Sequence, residues 1–107
     1  MLYFALVLTW ATMMTCTIID GKKIAAKLEL EIKDQVASLD SKPTLAVILL
    51  GHDAASEVYV RKKHEACERI GIRSSEYSLD NDTSEAALLD LIHTLNEDPD
   101  THGILVQ

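Results

Sequence analysis

The sequence predicts an α/β fold in three layers, with a parallel β-sheet covered by helices. Helical and strand patterns alternate from residue 17 onward, an order typical of parallel strands joined by crossover helices. Residues 45–50 and 103–106 are continuously apolar, which suits strands buried on both faces. Because the chain has 107 residues, we expect one domain at most. The predicted architecture is a β-α-β-α-β core preceded by a helix.

The first helix and the first strand have clear sequence boundaries. The helix opens after Asp20, and residues 41–43 (Ser-Lys-Pro) end it. Apolar residues recur between these limits at steps of three or four, at Ile24, Leu28, Ile32, Val36 and Leu39. This spacing predicts an amphipathic helix. The apolar strand over residues 45–50 then ends at Gly51.

The second helix and second strand follow. Asp53 is a candidate N-cap, because its short acidic side chain can accept hydrogen bonds from the first free backbone N–H groups. The helix is predicted to run to about Ile70 and to end at Gly71, a residue that favours the left-handed backbone of a helix C-terminus. Residues 72–79 form a weak, polar strand pattern, so we expect this strand near a sheet edge.

The third helix is predicted from capping residues and an apolar stripe. Residues 82–85 (Asp-Thr-Ser-Glu) supply the capping chemistry. The stripe consists of Leu88, Leu91, Ile92 and Leu95. Residues 96–99 break the helix before the last strand, and the sequence stops at Gln107. A sheet ending on an apolar strand would ordinarily be extended or covered, so residues 17–107 are predicted to be an incomplete domain.

Composition excludes several function classes. The formal net charge of −7 argues against a nonspecific nucleic-acid binder, which needs basic residues against phosphates. The four histidines and two cysteines lack metal-ligand spacing, and we predict no metal site. Cys16 and Cys67 have no disulfide spacing, and Cys67 is expected to be inert packing. We therefore expect a reducing compartment, the cytoplasm, with a mitochondrial location as the alternative.

Residues 1–16 differ from the remainder of the chain. They are apolar and uncharged, but they are fewer than the ~20 residues that span a membrane. They also lack the basic start of a signal peptide and the arginines of a transit peptide. We interpret them as an extension upstream of a natural start at Met13 or Met14, and a targeting or anchoring role as the alternative.

One lysine interrupts the apolar face predicted for the second helix. With Tyr59 at zero and about 100° per residue, Lys63 falls at about +40°. Its neighbours in this sector are Ala55, Ala66 and Ile70. The simpler interpretation is a lysine whose stem covers apolar surface while its ammonium reaches water. The alternative is a partly desolvated lysine in a cleft, able to exchange protons near pH 7.

The topology of the predicted sheet bears on the choice between these two interpretations of Lys63. Ligands of parallel α/β sheets bind beyond the carboxyl ends of the strands. Residues 51–56 follow one such end and Gln107 follows another. Tyr59, Lys63 and Gln107 are therefore expected to converge at one side of the sheet.

Four segments then carry a family resemblance, in order and without an obvious gap: IIDGKKIA (residues 18–25), PTLAVILLG (43–51), ASEVYVRKK (55–63) and LNEDPDTHGILVQ (95–107). Together they resemble the N-terminal catalytic domain of bifunctional methylenetetrahydrofolate dehydrogenase/cyclohydrolase. The resemblance implies NADP-dependent oxidation of 5,10-methylenetetrahydrofolate and hydrolysis of the methenyl product to 10-formyltetrahydrofolate in the same cleft. A tetrahydrofolate derivative would be the substrate, and a homodimer like those of the family is possible.

The resemblance also implies roles for four residues. Lys63 would be the catalytic lysine that handles protons in the cyclohydrolase step, and Gln107 would hydrogen-bond near it and tune its protonation. Tyr59 would stack on the aromatic part of the folate, while Ser56 would support the same wall of the cleft. The family usually has proline where this chain has Ala54, which should loosen the entry of the helix slightly.

No residue of this chain is predicted to bind NADP. The family binds the dinucleotide in a Rossmann-like domain after the position of Gln107, and no Gly-x-Gly-x-x-Gly is present. The chain would supply the folate-binding half of the cleft. The alternative is a non-catalytic truncated product that pairs at best with an intact subunit. A short-chain dehydrogenase, which also uses Tyr-x-x-x-Lys, fits less well because its glycine-rich turn is absent.

Overall fold

The computed structural model describes residues 16–107. The predicted extension over residues 1–16 lies outside the described residues, apart from Cys16, which is exposed. The elements are α1 (Gly21–Ala37), β1 (Thr44–Leu50), α2 (Ala54–Ile70), β2 (Arg73–Leu79), α3 (Glu85–Glu97) and β3 (Gly103–Val106). In this part of the chain, no helix is long and apolar enough to cross a lipid bilayer.

The three strands form one parallel sheet in the order β2-β1-β3. The central strand, β1, places Ile48 between Tyr77 of β2 and Val106 of β3. The polar strand β2 lies at an edge, as its sequence predicts. The parallel α/β class is confirmed, because each pair of successive strands is joined by a helix.

The core lies on both faces of β1. On one face, Ala46 and Ile48 are fully buried and pack with Leu95 of α3. On the other face, Val47 and Leu49 pack with Val60 of α2. This alternation explains why the strand is apolar at every position from Leu45 onward, since successive side chains point to opposite faces and both faces carry a helix.

Gly71 ends α2 in a left-handed conformation, with φ of 87°. Its N–H bonds back to the carbonyl of Glu68, so the predicted C-cap is confirmed. A Cβ at this position would meet only a methyl of Val36, at an ordinary 3.5 Å. The cost of a side chain at Gly71 therefore comes from the backbone conformation and not from a clash.

We expect Gly71→Ala to lower the free energy of unfolding by about 1–2 kcal/mol, the cost of an L-residue in the left-handed region. Gly21→Ala is the matched control, because a Cβ added to Gly21 would have nothing within 4 Å and the φ of Gly21 is not positive. Urea denaturation of both variants measures the difference. Equal losses at the two positions would contradict this explanation.

The first helix departs from its prediction. It ends at Ala37, before Leu39, because Ser38 caps it with a hydroxyl bond to the carbonyl of Gln35. None of its residues is buried, although its apolar spacing predicts a packed stripe. It contacts α2, where Arg69 donates two hydrogen bonds to Glu29, at 2.8 and 3.2 Å. These bonds lower the pKa of the Glu29 carboxyl.

Candidate functional site

The carboxyl end of β1 turns sharply into α2. Gly51 has φ of 85°, and its N–H donates to the carbonyl of Leu79 at 2.8 Å. The side chain of Asn81 lies directly against the α-carbon of Gly51, in the space that a Cβ would occupy. The loops after β1 and β2 therefore lie together at the carboxyl end of the sheet. A side chain at Gly51 would have to displace Asn81 and adopt a left-handed backbone conformation that L-residues disfavour.

Asp53 begins α2 as predicted. Its carboxylate accepts a hydrogen bond from the Ser56 backbone N–H at 2.8 Å. This bond, and then the Ser56 hydroxyl, lower the pKa of Asp53. The cap is therefore formed at neutral pH and weakens as pH falls through the lowered pKa of Asp53.

The buried face of α2 is rotated relative to the predicted one. Val60 and Cys67 are the buried residues of the helix, and they lie about 80–100° from Tyr59 on a helical wheel. Tyr59 is 57% exposed, so placing it at the centre of the apolar sector was wrong. Lys63 is half-buried, between the ring and the sheet-facing residues. Burial raises the pKa of the Cys67 thiol, which fits the packing role expected for it.

Gln107 is held by the central strand. Its N–H donates to the carbonyl of Ile48 at 2.8 Å, and its carbonyl accepts from the N–H of Leu50 at 3.1 Å. Leu105 packs with the α2 side of the core. Since strand residues two apart share a face, the side chain of Gln107 also points toward α2.

The structure brings Lys63, Gln107 and Tyr59 together. The Nζ of Lys63 donates to Oε1 of Gln107 at 3.0 Å, although 44 residues separate them in sequence. The same Nζ lies 5.4 Å from the centroid of the Tyr59 ring, within the range of a cation–π contact. The ammonium is thus placed between an amide oxygen and an aromatic face.

Ser56 is not part of this contact group. It lies half-buried on the same helix, near its beginning, and its backbone and hydroxyl both serve the Asp53 cap. Ser56 therefore lies on the same helix as Lys63 but does not contact it, and its support of a cleft wall stays a prediction.

The structure adds His52 to this edge of the sheet. Its Nε2 lies 3.5 Å from Asp80 Oδ1 and its Nδ1 lies 3.9 Å from Glu57 Oε1. From the sequence, His52 was considered only as one of four histidines without metal-ligand spacing. Its position directly after the end of a strand could have marked it as a site residue, because ligands bind beyond the carboxyl ends of parallel strands. Over residues 16–107, no group of three His, Cys, Asp or Glu side chains is arranged to hold a metal ion.

The three contacting side chains form an open surface more than an enclosed cavity, since Tyr59 and Gln107 are exposed. Two grooves of about 410 Å³ lie elsewhere, one between α1 and α2 and one at the amino end of the sheet around His102. Neither groove is lined by Lys63, so the candidate site does not coincide with either of these two grooves. A charged donor, an amide and an exposed ring can together position a flat conjugated ligand and exchange protons with it.

The sequence matches the family model of the tetrahydrofolate dehydrogenase/cyclohydrolase catalytic domain over residues 19–107. The chain is 60% identical over 93 residues to the bifunctional protein FolD of Geotalea uraniireducens, covering 84% of this chain and 33% of that protein. It is 54% identical over 97 residues to the bifunctional protein FolD of Moorella thermoacetica, and the match covers 88% of this chain and 35% of that protein. The chain thus spans about a third of the length of the curated relatives it matches.

Two solved structures are similar in fold as well as in sequence. One is the bifunctional FolD methylenetetrahydrofolate dehydrogenase/cyclohydrolase of Campylobacter jejuni, with a TM-score of 0.82 and 46% identity, covering 85% of this chain and 33% of that one. The other is a 5,10-methylenetetrahydrofolate dehydrogenase of the silkworm Bombyx mori, with a TM-score of 0.82 and 41% identity. This match covers 87% of this chain and 33% of the silkworm chain. The chain belongs to the tetrahydrofolate dehydrogenase/cyclohydrolase catalytic-domain family.

Proposed function

We propose that this chain supplies the folate-binding half of a cleft that oxidises 5,10-methylenetetrahydrofolate and hydrolyses the methenyl product to 10-formyltetrahydrofolate. The observation that carries the proposal is the hydrogen bond from Lys63 to Gln107 beside the Tyr59 ring. It joins two segments that separately resemble the family, and it lies where ligands of parallel sheets bind.

Lys63 is the proposed proton carrier of the hydrolysis. Attack of water on the methenyl carbon releases a proton from the water. Lys63 can accept this proton as a neutral amine, after its ammonium form has given up one of its own protons. Gln107 orients the lysine by accepting its hydrogen bond. It also restricts the long lysine side chain to one region, which lowers the entropic cost of positioning it.

Tyr59 is the proposed stacking platform. Its ring is 57% exposed and is approached by Lys63, which leaves ring surface for a flat conjugated ligand. Ser56 supports this wall indirectly, because it fixes the first turn of α2 through Asp53.

The described residues do not fit NADP, which would accept the hydride in the oxidation. A dinucleotide pyrophosphate binds the free N–H groups at a helix N-terminus. Here the N-termini of α1, α2 and α3 are capped by the side chains of Asp20, Asp53 and Ser84. The acidic residues Glu57 and Glu85 in the first turns repel phosphate as well. We expect the 107-residue chain to show no NADP binding by calorimetry, and measurable affinity would mean that the cofactor site is misplaced.

A chimera tests the proposed function. Residues 19–107 would replace the corresponding third of the Geotalea uraniireducens relative, whose other two thirds supply the rest of the enzyme. We expect the chimera to oxidise 5,10-methylenetetrahydrofolate with NADP and to hydrolyse the methenyl form. A chimera that folds and binds NADP but does not turn over folate would contradict the proposal.

We expect Tyr59→Ala in this chimera to weaken folate binding about tenfold, because it removes the aromatic contact area. Tyr59→Phe is the matched control, since it keeps the ring that lies beside Lys63, and it should bind within about twofold of the parent. Fluorescence titration with folate measures both. If alanine and phenylalanine weakened binding equally, stacking would not be the role of Tyr59.

A further inference from the structure

Thr44, the first residue of β1, is bound twice by His102 at the amino end of the sheet. The His102 N–H donates to the Thr44 carbonyl at 3.0 Å. Nδ1 of the His102 ring accepts from the Thr44 N–H at 3.1 Å. Both backbone groups of Thr44 are therefore satisfied by one residue, which directly precedes β3 and lies 58 positions away in sequence.

The turn before β3 explains why a side chain makes one of these bonds. The carboxylate of Asp98 accepts from the Asp100 N–H at 3.0 Å and from the Thr101 hydroxyl at 2.8 Å. Its backbone carbonyl accepts from the Thr101 N–H at 3.1 Å. This segment is thus folded on itself, and β3 pairs with β1 only from Gly103 onward. The His102 ring supplies the acceptor that an earlier start of β3 would have supplied as a backbone carbonyl.

The bond to Thr44 fixes the protonation state of the His102 ring. A ring nitrogen that accepts a hydrogen bond carries no proton, so the imidazole is neutral here and its proton is on Nε2. A charged imidazole has a proton on each nitrogen and no acceptor. Protonation therefore converts Nδ1 from the partner of the Thr44 N–H into a competing donor.

Carboxylates near the ring offer its charged form other partners. The hydrogen bond from the Asp100 N–H is the main cause that lowers the pKa of the Asp98 carboxyl, and the charge of His102 adds to it. This carboxyl therefore lies within electrostatic reach of the ring. The groove of about 410 Å³ that His102 lines holds two carboxylates and two cations: Asp40, Asp100, Lys42 and Arg73. With Asp98, carboxylates outnumber cations around the ring, which favours a charged imidazole that has left Thr44.

We propose that His102 is a pH-sensitive link between the beginnings of β1 and β3. The neutral ring holds the Thr44 N–H, and the charged ring releases it and turns toward the carboxylates of the groove. The candidate site lies at the other end of the sheet, where Lys63 bonds to Gln107. Mild acid therefore loosens the first residue of β1 and leaves the Lys63–Gln107 contact in place.

Hydrogen exchange of the Thr44 amide in the 107-residue chain tests the proposal, with protection expressed relative to the intrinsic exchange rate at each pH. Histidine ordinarily changes charge between about pH 8 and pH 5. Over this range we expect the protection of Thr44 to fall about three- to tenfold, the size of one net hydrogen bond. The Gln107 N–H, bonded to the Ile48 carbonyl at 2.8 Å farther along the same strand pair, is the internal control and should keep its protection. Unchanged protection of Thr44, or an equal fall at Gln107, would overturn the proposal.

Two variants assign the effect to the ring of His102. His102→Asn keeps an acceptor oxygen near the position of Nδ1 but takes up no proton, so Thr44 should stay protected at both pH values. His102→Leu removes the acceptor, so Thr44 should already be poorly protected at the higher pH. His93→Asn is the matched control, since His93 is exposed on α3, and it should behave like the parent. A fall in His102→Asn as large as in the parent would contradict the role of the ring.

Nitrogen NMR of the His102 ring gives a test that needs no substitution. At about pH 8 we expect a proton on Nε2 and none on Nδ1, and at about pH 5 a proton on each nitrogen. The amide resonance of Thr44 should move with the same midpoint as the ring. A proton on Nδ1 at the higher pH, or an amide that does not follow the ring, would overturn the proposal.

Discussion

Replacing Lys63 with methionine in the chimera is expected to abolish hydrolysis of 5,10-methenyltetrahydrofolate. Methionine keeps most of the length of the side chain but removes the group that donates to Gln107 at 3.0 Å. A positioned acid or base contributes about 10²–10⁴-fold to a reaction rate, and we expect a loss of this size in the rate of methenyl hydrolysis. Folate affinity should change much less, because the Tyr59 ring is retained.

Lys62→Met is the matched control for this experiment. Lys62 is the adjacent residue, carries the same charge and is exposed on α2, so its replacement should leave the rate nearly unchanged. Gln107→Leu should give an intermediate loss, since it removes the acceptor but keeps the lysine. Retained hydrolysis in the Lys63→Met chimera would refute the role assigned to Lys63.

Ile48→Ala is expected to have the largest effect on stability, with a loss of about 2–5 kcal/mol in the free energy of unfolding. Ile48 is fully buried at the centre of the sheet, where it packs with Ala46 and Leu95. Truncation leaves a cavity between the sheet and α3 that these neighbours can fill only in part. Because small domains are stable by only about 5–15 kcal/mol, this loss removes a large share of the total free energy of unfolding.

Two controls separate the cavity from other effects. Ile48→Val removes one methylene and should cost about 0.5–1.5 kcal/mol. Leu50 lies two residues further along the same strand and is 39% exposed. Leu50→Ala should therefore lower the free energy of unfolding by less than Ile48→Ala does. Urea denaturation followed by circular dichroism measures all three. A loss at Ile48 no greater than that at Leu50 would show that the core is not centred on β1.

The helices and strands, and most of their ends, could be predicted from the sequence. Asp53 and Gly71 mark the two ends of α2 because capping and left-handed glycine depend on neighbours within one turn. The apolar run of β1 indicated a strand covered on both sides, and the structure confirms it. The four family-like segments also identified the family, since the matching residues are read directly along the chain.

Which face of each helix is buried depends instead on tertiary packing. Tyr59 and Val60 are adjacent in sequence, and periodicity placed the apolar sector on Tyr59. Docking of α2 against Val47 and Leu49 instead selected Val60. The stripe of α1 has a regular pattern and is nevertheless exposed, because a pattern specifies which residues share a face but not what covers them.

The contact between Lys63 and Gln107 also depends on tertiary packing. Topology predicted that both residues lie at one edge of the sheet, but an amide oxygen at 3.0 Å from an ammonium nitrogen depends on the rotation of α2 and on the register of β3. That register is fixed by hydrogen bonds from Gln107 to Ile48 and from Leu50 to Gln107. Local sequence determines which groups are available, and long-range packing determines the distances between them.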